Sequence, residues 1–360
     1  VKVDQDNNHS LIEWGEIVGG SNINLSGKKI IFICSNEYSF AALCNDNTVL
    51  CWGQNDKGGN INYPNNNDDK NNNIINIISN GEAYCAVKSN GTVITWGSSN
   101  YGGDSIHLNI TNVKYIYNTY GAFAVITNNN NVITWGDSNF GGDSENISYK
   151  LIDIITIYSN YYSFAALDKY DSLIVWGHPS TGGSADNINL ENISKVYSTK
   201  RAYAALKHNG DLITWGDSMY GGDLNYPFTY NKSNSIYKIC SSENAFAALK
   251  TNGTLITWGG SYSGNFKNNL KNITDLVSFT KGFAAIQENG TVISWGDEEF
   301  TNISSSINNK LTFIKSFSQG KNYYNGKWQY NNGEYNLNDI QYQQESEPEP
   351  EPEPEPETQP

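Results

Sequence analysis

Residues 246–259 read Phe-Ala-Ala-Leu-Lys-Thr-Asn-Gly-Thr-Leu-Ile-Thr-Trp-Gly. An apolar run, an Asn-Gly pair and a second apolar run form the strongest short signal for a β-hairpin, because Asn-Gly suits a type I′ turn with positive φ at both central residues. The pattern recurs along the chain. Trp-Gly stands at Trp14, Trp52, Trp96, Trp135, Trp176, Trp215, Trp258 and Trp295, at intervals of 37 to 44 residues. Twelve residues before seven of these tryptophans stands an aromatic residue, as in Phe40-Ala41-Ala42-Leu43, Phe164-Ala165-Ala166-Leu167 and Tyr203-Ala204-Ala205-Leu206. A third β-rich run precedes each hairpin, for example Ile30–Cys34 and Val113–Tyr117. Each unit is therefore three or four short antiparallel strands, and a period near 40 residues marks a repeat architecture.

The runs are apolar on successive residues rather than alternating, which suits sheets covered on both faces. Paired alanines let neighbouring sheets approach, and tryptophan fills the wider gap. A ring of small sheets packed face to face meets these needs, so the expected fold is an all-β propeller. Residues 11–15 give a Trp strand with no preceding strand, and residues 313–324 resemble early strands with no Trp-Gly ending. Joined, the two half-units close the ring in one blade shared by the termini and remove its open edges. Eight blades are expected, with seven as the alternative and an open solenoid as the third arrangement. The propeller spans 1–338 and an acidic tail spans 339–360.

This unit resembles the regulator-of-chromosome-condensation repeat, with its Ala-rich strand, Asn/Asp-Gly turn, Trp-Gly strand and Gly-rich loop. The resemblance covers residues 11–330, and the short period is closer to the compact propellers of bacterial β-lactamase inhibitor proteins of the same repeat class. Two departures stand out. The loop after Trp-Gly reads Tyr101-Gly102-Gly103-Asp104 and Phe140-Gly141-Gly142-Asp143, where the family has Asn-x-x-Gly-Gln-Leu-Gly. No counterpart is found of the insertion by which the family's founder acts on a small GTPase. The resemblance implies the fold and not the exchange activity, since function lives in sites rather than folds.

Composition narrows the function classes. The 360 residues carry a formal charge of −14, which provides no basic surface for nucleic acid. Apolar runs are only a few residues long, far short of the about 20 needed for a membrane-spanning helix. The only methionine is Met219, so the initiator is missing: either a leader was removed or this is a fragment, and a removed leader would mean export. Five cysteines in 360 residues do not make a disulfide framework, although Cys44 and Cys51 flank one hairpin turn. The four histidines, His9, His107, His178 and His208, lack metal-ligand spacing. No nucleophile elbow, phosphate-binding loop or zinc-protease motif occurs. No catalytic, cofactor or metal residue is assigned, and the protein is expected not to be an enzyme. The loop Asp137-Ser138-Asn139-Phe140-Gly141-Gly142-Asp143 spaces oxygen ligands as a calcium loop does, but Asp, Asn and Gly also close turns without metal. The 24 tyrosines suit protein- or sugar-binding faces, and equally suit strands.

Asparagine reaches 53 residues, and eleven Asn-X-Ser/Thr sequons occur. Eight lie at hairpin turns or in connections, where a glycan fits: Asn90, Asn109, Asn146, Asn192, Asn252, Asn272, Asn289 and Asn302. Five Glu-Pro pairs run from Glu347 to Pro356. Proline at alternate positions forbids helix and ladder, so the tail reads as an extended arm of about 3.1 Å per residue. By resemblance to proline-rich stalks, it is a candidate for modification. The expected protein is thus a secreted, glycosylated propeller with a structural or interaction role in an extracellular filament or coat, through self-assembly or a protein partner. The alternative is a cytoplasmic or nuclear interaction adaptor or small-GTPase regulator.

Overall fold

The computed structural model describes residues 28–62, 73–224, 235–260 and 270–297. It also gives the backbone of five short strands, Lys2–Val3, His9–Ser10, Asn322–Tyr324, Lys327–Gln329 and Tyr335–Asn336. Three-stranded antiparallel meanders occupy residues 30–53, 74–97, 113–136, 154–177, 193–216, 236–259 and 273–296, here numbered blades 1 to 7. In blade 4, Ile154–Ser159 pairs with Ser163–Asp168, which pairs with Leu173–Gly177. The first strand carries a bulge near its start in every blade, between Ile154 and Thr156 in this one. An extra unpaired residue there strengthens the local twist. Tyr335–Asn336 adds to the free edge of the first strand of blade 3, opposite Ile116 and Tyr115.

The second strands are covered on both faces, as their unbroken apolar runs require. Phe164, Ala165 and Ala166 are all fully buried, and so are their counterparts in blade 6, Phe246, Ala247 and Ala248. Successive sheets approach within 8 Å through their first strands, and the third strands reach instead to the short 3-10 turn of the preceding blade. The sheets therefore lie close at one edge and splay at the other, which is the wedge packing of a β-propeller with the first strands innermost.

The Trp-Gly motif builds each outer junction. Within a blade, tryptophan stacks on the aromatic residue opposite it in register, at ring separations of 5.1–5.5 Å. Its indole N–H crosses to the preceding blade. Trp96 donates to the Gly58 carbonyl, Trp135 to Gly102, Trp176 to Gly141, Trp215 to Gly182 and Trp258 to Gly221, at 3.0–3.1 Å. The accepting glycine has to be glycine. Gly141 has φ 89°, and a Cβ there would stand 2.7 Å from the Phe164 ring of the next blade. The loop turns in the left-handed region and the neighbouring ring seats against its bare Cα.

One expectation needs adjustment. The Asn-Gly hairpins form where expected, but not as type I′ turns. At Lys88–Gly91 only the glycine has positive φ, and Gly91 N–H donates to Lys88 O at 2.9 Å. Asn90 Oδ1 accepts from both Thr92 N–H and Thr92 Oγ1, at 3.0 and 2.7 Å. That side-chain turn holds the asparagine out of the left-handed region and extends the loop by one residue. Asn47, Asn130 and Asp171 take the left-handed place that glycine fills elsewhere. Cys44 and Cys51, which flank the blade 1 hairpin, pair in the sheet register with Ile30 and Ala41 respectively, and none of the five cysteines forms a disulfide.

Seven blades are thus described. The half-units expected to close an eighth lie outside the described residues, apart from the Asn322–Tyr324 backbone, as do the 339–360 tail and Asn302. One side of blade 1 bears on the question. Phe40 is 40% exposed, whereas Tyr84, Phe123, Phe164, Tyr203 and Phe246 are at 0% and Phe283 at 1%. Those six rings face the preceding blade, so Phe40 faces the place where a blade before the first belongs.

Candidate interaction face

Each blade presents two segments at the same end of the disc: the turn between its first and second strands, and the loop after its Trp-Gly. They are bonded to one another. In blade 3 the Asp137 N–H donates to Gly121 O at 2.9 Å, and Thr119 Oγ1 donates to Phe140 O at 2.8 Å. Asn36, Asn80, Asn160 and Thr199 make the corresponding side-chain bond to Lys57, Tyr101, Thr181 and Tyr220 carbonyls. The turns also bond from blade to blade. Gly81 N–H donates to Tyr120 O, Tyr120 to Tyr161, Tyr161 to Lys200, Lys200 to Glu243 and Glu243 to Thr280, at 2.8–3.2 Å. The main-chain groups at this end are thereby spent internally, and the side chains they carry point outward from a fixed frame.

Those side chains form one continuous surface across blades 1 to 5. Tyr120 stacks on Tyr161 at 4.3 Å, and Phe140 on Tyr162 at 5.1 Å. Tyr101 meets Tyr120 edge-on at 5.7 Å and Phe140 at 6.1 Å. Arg201 lies over both Tyr162 and Tyr220 at 5.1 Å, and Lys200 over Tyr161 at 4.9 Å. Carboxylates surround the rings. Tyr120 Oη donates to Glu37 at 2.9 Å, Lys200 pairs with Glu243 at 2.9 Å, and Lys57 pairs with Glu82. Burial, followed by the hydrogen bond to Glu37, pushes the Tyr120 phenol well above its ordinary range, and burial does the same for Tyr161. Both phenols stay neutral donors at any physiological pH. Rings, fixed donors and carboxylates make a surface suited to recognition, because tyrosine offers large contact area with a polar tip.

Other residues weighed from the sequence are placed elsewhere or put to structural use. Asp137 Oδ1 accepts from Asn139 N–H at 2.8 Å and caps the 3-10 turn Ser138–Phe140, while Asp143 Oδ1 accepts from Glu145 N–H at 2.9 Å. Both carboxylates of this loop thus cap turns, and no group of three His, Cys, Asp or Glu side chains placed to hold a metal occurs among the described residues. His208 pairs with Asp171 at 3.0 Å on the opposite end, and His178 stands beside the Tyr162 ring. Asn90, Asn109, Asn146, Asn192, Asn252, Asn272 and Asn289 are all exposed. Asn90, Asn252 and Asn289 occupy turns between second and third strands, away from the aromatic end. No helix among the described residues is long and apolar enough to cross a membrane.

The architecture is that of a β-propeller, with seven three-stranded blades among the described residues. No family model matches the chain, and no curated protein matches it. Among solved structures it is similar to Prp20p of Saccharomyces cerevisiae, at 15% identity over 74% of this chain and 72% of that one, with a TM-score of 0.37. It is also similar to the receptor kinase CR4 ectodomain of Physcomitrella patens, at 15% identity over 63% of this chain and 64% of that one, with a TM-score of 0.38. A third likeness is to the computationally designed protein Ika8, at 14% identity over 78% and 85% of the two chains, with a TM-score of 0.34.

Proposed function

We propose that the chain is a non-enzymatic interaction propeller that binds a protein partner through its aromatic end. Of the two roles expected from the sequence, the interaction adaptor is better supported than the filament or coat component. The observation that carries this reading is the contiguous surface of Tyr101, Tyr120, Phe140, Tyr161, Tyr162 and Tyr220, held on main-chain hydrogen bonds that continue across five blade boundaries. A preorganised aromatic surface binds without a large ordering cost. Met219 stands in a loop at this end and Tyr170 in a turn at the other, and each is 70% exposed. A photo-crosslinking residue at Met219 is expected to capture a defined partner in cells of the source organism, while the same residue at Tyr170 captures none. Equal capture at both positions, or capture at Tyr170 alone, refutes the assignment.

A second reading, export with N-glycosylation, is supported by the exposure of seven of the eight candidate sequons and by the position of the three turn sites at the far end of the disc. Glycans there leave the aromatic end bare, so the two readings are compatible. Asn302 and the modified-tail proposal concern residues outside those described.

A further inference from the structure

The charge of the aromatic end selects the chemistry of its partner. Among the described residues, its first-to-second-strand turns and the segments running from Trp-Gly through the 3-10 turn carry four cations, Lys57, Lys200, Arg201 and Lys281, against seven carboxylates, Glu37, Asp56, Glu82, Asp137, Asp217, Glu243 and Asp297. Each of the four cations already has a carboxylate partner: Glu82, Glu243, Asp217 and Asp297 respectively. The surplus is negative, and it is not evenly spread. Glu37 is engaged by the neutral Tyr120 hydroxyl, and Asp137 by the neutral groups of Asn139. Burial first, then Glu82 and Asp137, raise the Tyr101 phenol, and Lys57, paired with Glu82, lies near enough to oppose them in part. Tyr101, Tyr120 and Phe140, in mutual ring contact, therefore form a platform with carboxylates on its flanks. The neighbouring blades show what such rings accept here, because Lys200 lies on Tyr161 and Arg201 lies between Tyr162 and Tyr220. One face of Tyr120 is covered by Tyr161 and one of Phe140 by Tyr162, and no cation of the chain's own lies over Tyr101, Tyr120 or Phe140 among the described residues.

We infer that this platform receives lysine or arginine side chains from a basic segment of the partner protein, each cation seated on a ring face and paired with Glu37 or Asp137. Aromatic faces attract cations through the ring quadrupole, and flanking carboxylates add attraction that salt screens. The inference rests on the interaction reading above and names the partner's chemistry.

The test uses the full chain and two fluorescein-labelled peptides, Lys-Gly-Lys-Gly-Lys-Gly-Lys and its Glu-for-Lys counterpart, followed by fluorescence anisotropy. The lysine peptide is expected to bind and the glutamate peptide to give no signal. Tyr101→Leu with Tyr120→Leu keeps apolar area but removes the polarised rings, and is expected to weaken binding about fivefold. Glu37→Gln with Asp137→Asn is nearly isosteric, retains a capping oxygen at 137, and is expected to weaken binding at least as much while abolishing most of its salt dependence. Unchanged melting temperatures confirm that the variants fold, and the charge pair alone decides the matter if the tyrosine pair does not. Absence of lysine-peptide binding, equal binding of both peptides, or binding indifferent to the folded variants overturns the inference. If crosslinks at Met219 persist while the lysine peptide fails, the basic-partner inference falls alone; if those crosslinks are also lost, the interaction reading falls with it.

Discussion

Replacing Trp135 tests the junction between blades directly. Trp135 is 4% exposed, stacks on Phe123 at 5.4 Å, and donates its indole N–H to the Gly102 carbonyl of the preceding blade at 3.1 Å. Trp135→Ala removes the ring from a site walled by Phe123 and by the loop of blade 2, which is bonded at both ends and cannot collapse into the space. A buried aromatic truncated to alanine costs about 3–5 kcal/mol. Trp135→Phe keeps much of the stack and deletes the donor, so it isolates the hydrogen bond. Its expected cost is about 1–2 kcal/mol, a lost bond plus a carbonyl left poorly solvated. Urea unfolding followed by circular dichroism gives both values. In a repeat fold the damage stays close to its interface, so hydrogen exchange is expected to quicken first in blades 2 and 3. A cost below about 1 kcal/mol for the alanine variant, or equal costs for alanine and phenylalanine, refutes the argument that the indole links the blades.

Gly141→Ala places a methyl group against Phe164 at a left-handed φ; a loss of about 2–4 kcal/mol is expected from strain plus overpacking, and a melting temperature within error of the parent's contradicts it. If the two half-units share the blade that Phe40 faces, deleting residues 1–20 is expected to lower the melting temperature of the disc; unchanged melting sinks the shared-blade closure. Burial pushes the Cys240 thiol up to about 11, so the thiolate needed for alkylation is scarce at pH 8 in the folded protein and becomes available only as pH rises toward that value. Mass spectrometry after iodoacetamide treatment is expected to find Cys240 unmodified until urea is added; rapid native labelling at pH 8 overturns this. Glycosidase release in heavy water is expected to mark several of Asn90, Asn109, Asn146, Asn192, Asn252, Asn272 and Asn289 in protein from its native source, and a clean map removes the export reading.

The meander was legible because the residues that fix it recur at constant offset. The aromatic residue twelve positions before each tryptophan is its cross-strand partner in the register, and the shared offset is the pairing itself. The turn type was not legible, because it depends on whether the asparagine side chain bonds the residue two places on, as Asn90 does with Thr92. The aromatic end was also missed. Tyr120, Tyr161 and Lys200 lie about forty residues apart in sequence and gather only when the blades stack. A signal was nevertheless present. Fifteen residues before seven of the tryptophans stand Glu37, Gly81, Tyr120, Tyr161, Lys200, Glu243 and Thr280, a column that varies, as does the next one, while the aromatic column three places on and the Trp-Gly pair repeat. Columns that vary inside a strict repeat are free of packing duty, and surface tyrosines there are not explained by strand propensity.

The indole bonds between blades all run one way. Trp96, Trp135, Trp176, Trp215 and Trp258 each reach back to the blade made before, so the donor finds an acceptor already synthesised. A growing chain leaving the ribosome can therefore complete each junction as it emerges, and what it leaves waiting at the new end is a glycine carbonyl that water can solvate. Read from the other terminus, each junction would strand a buried N–H donor until its neighbour arrived. The direction of these bonds gives the disc an order of assembly that matches the direction of translation.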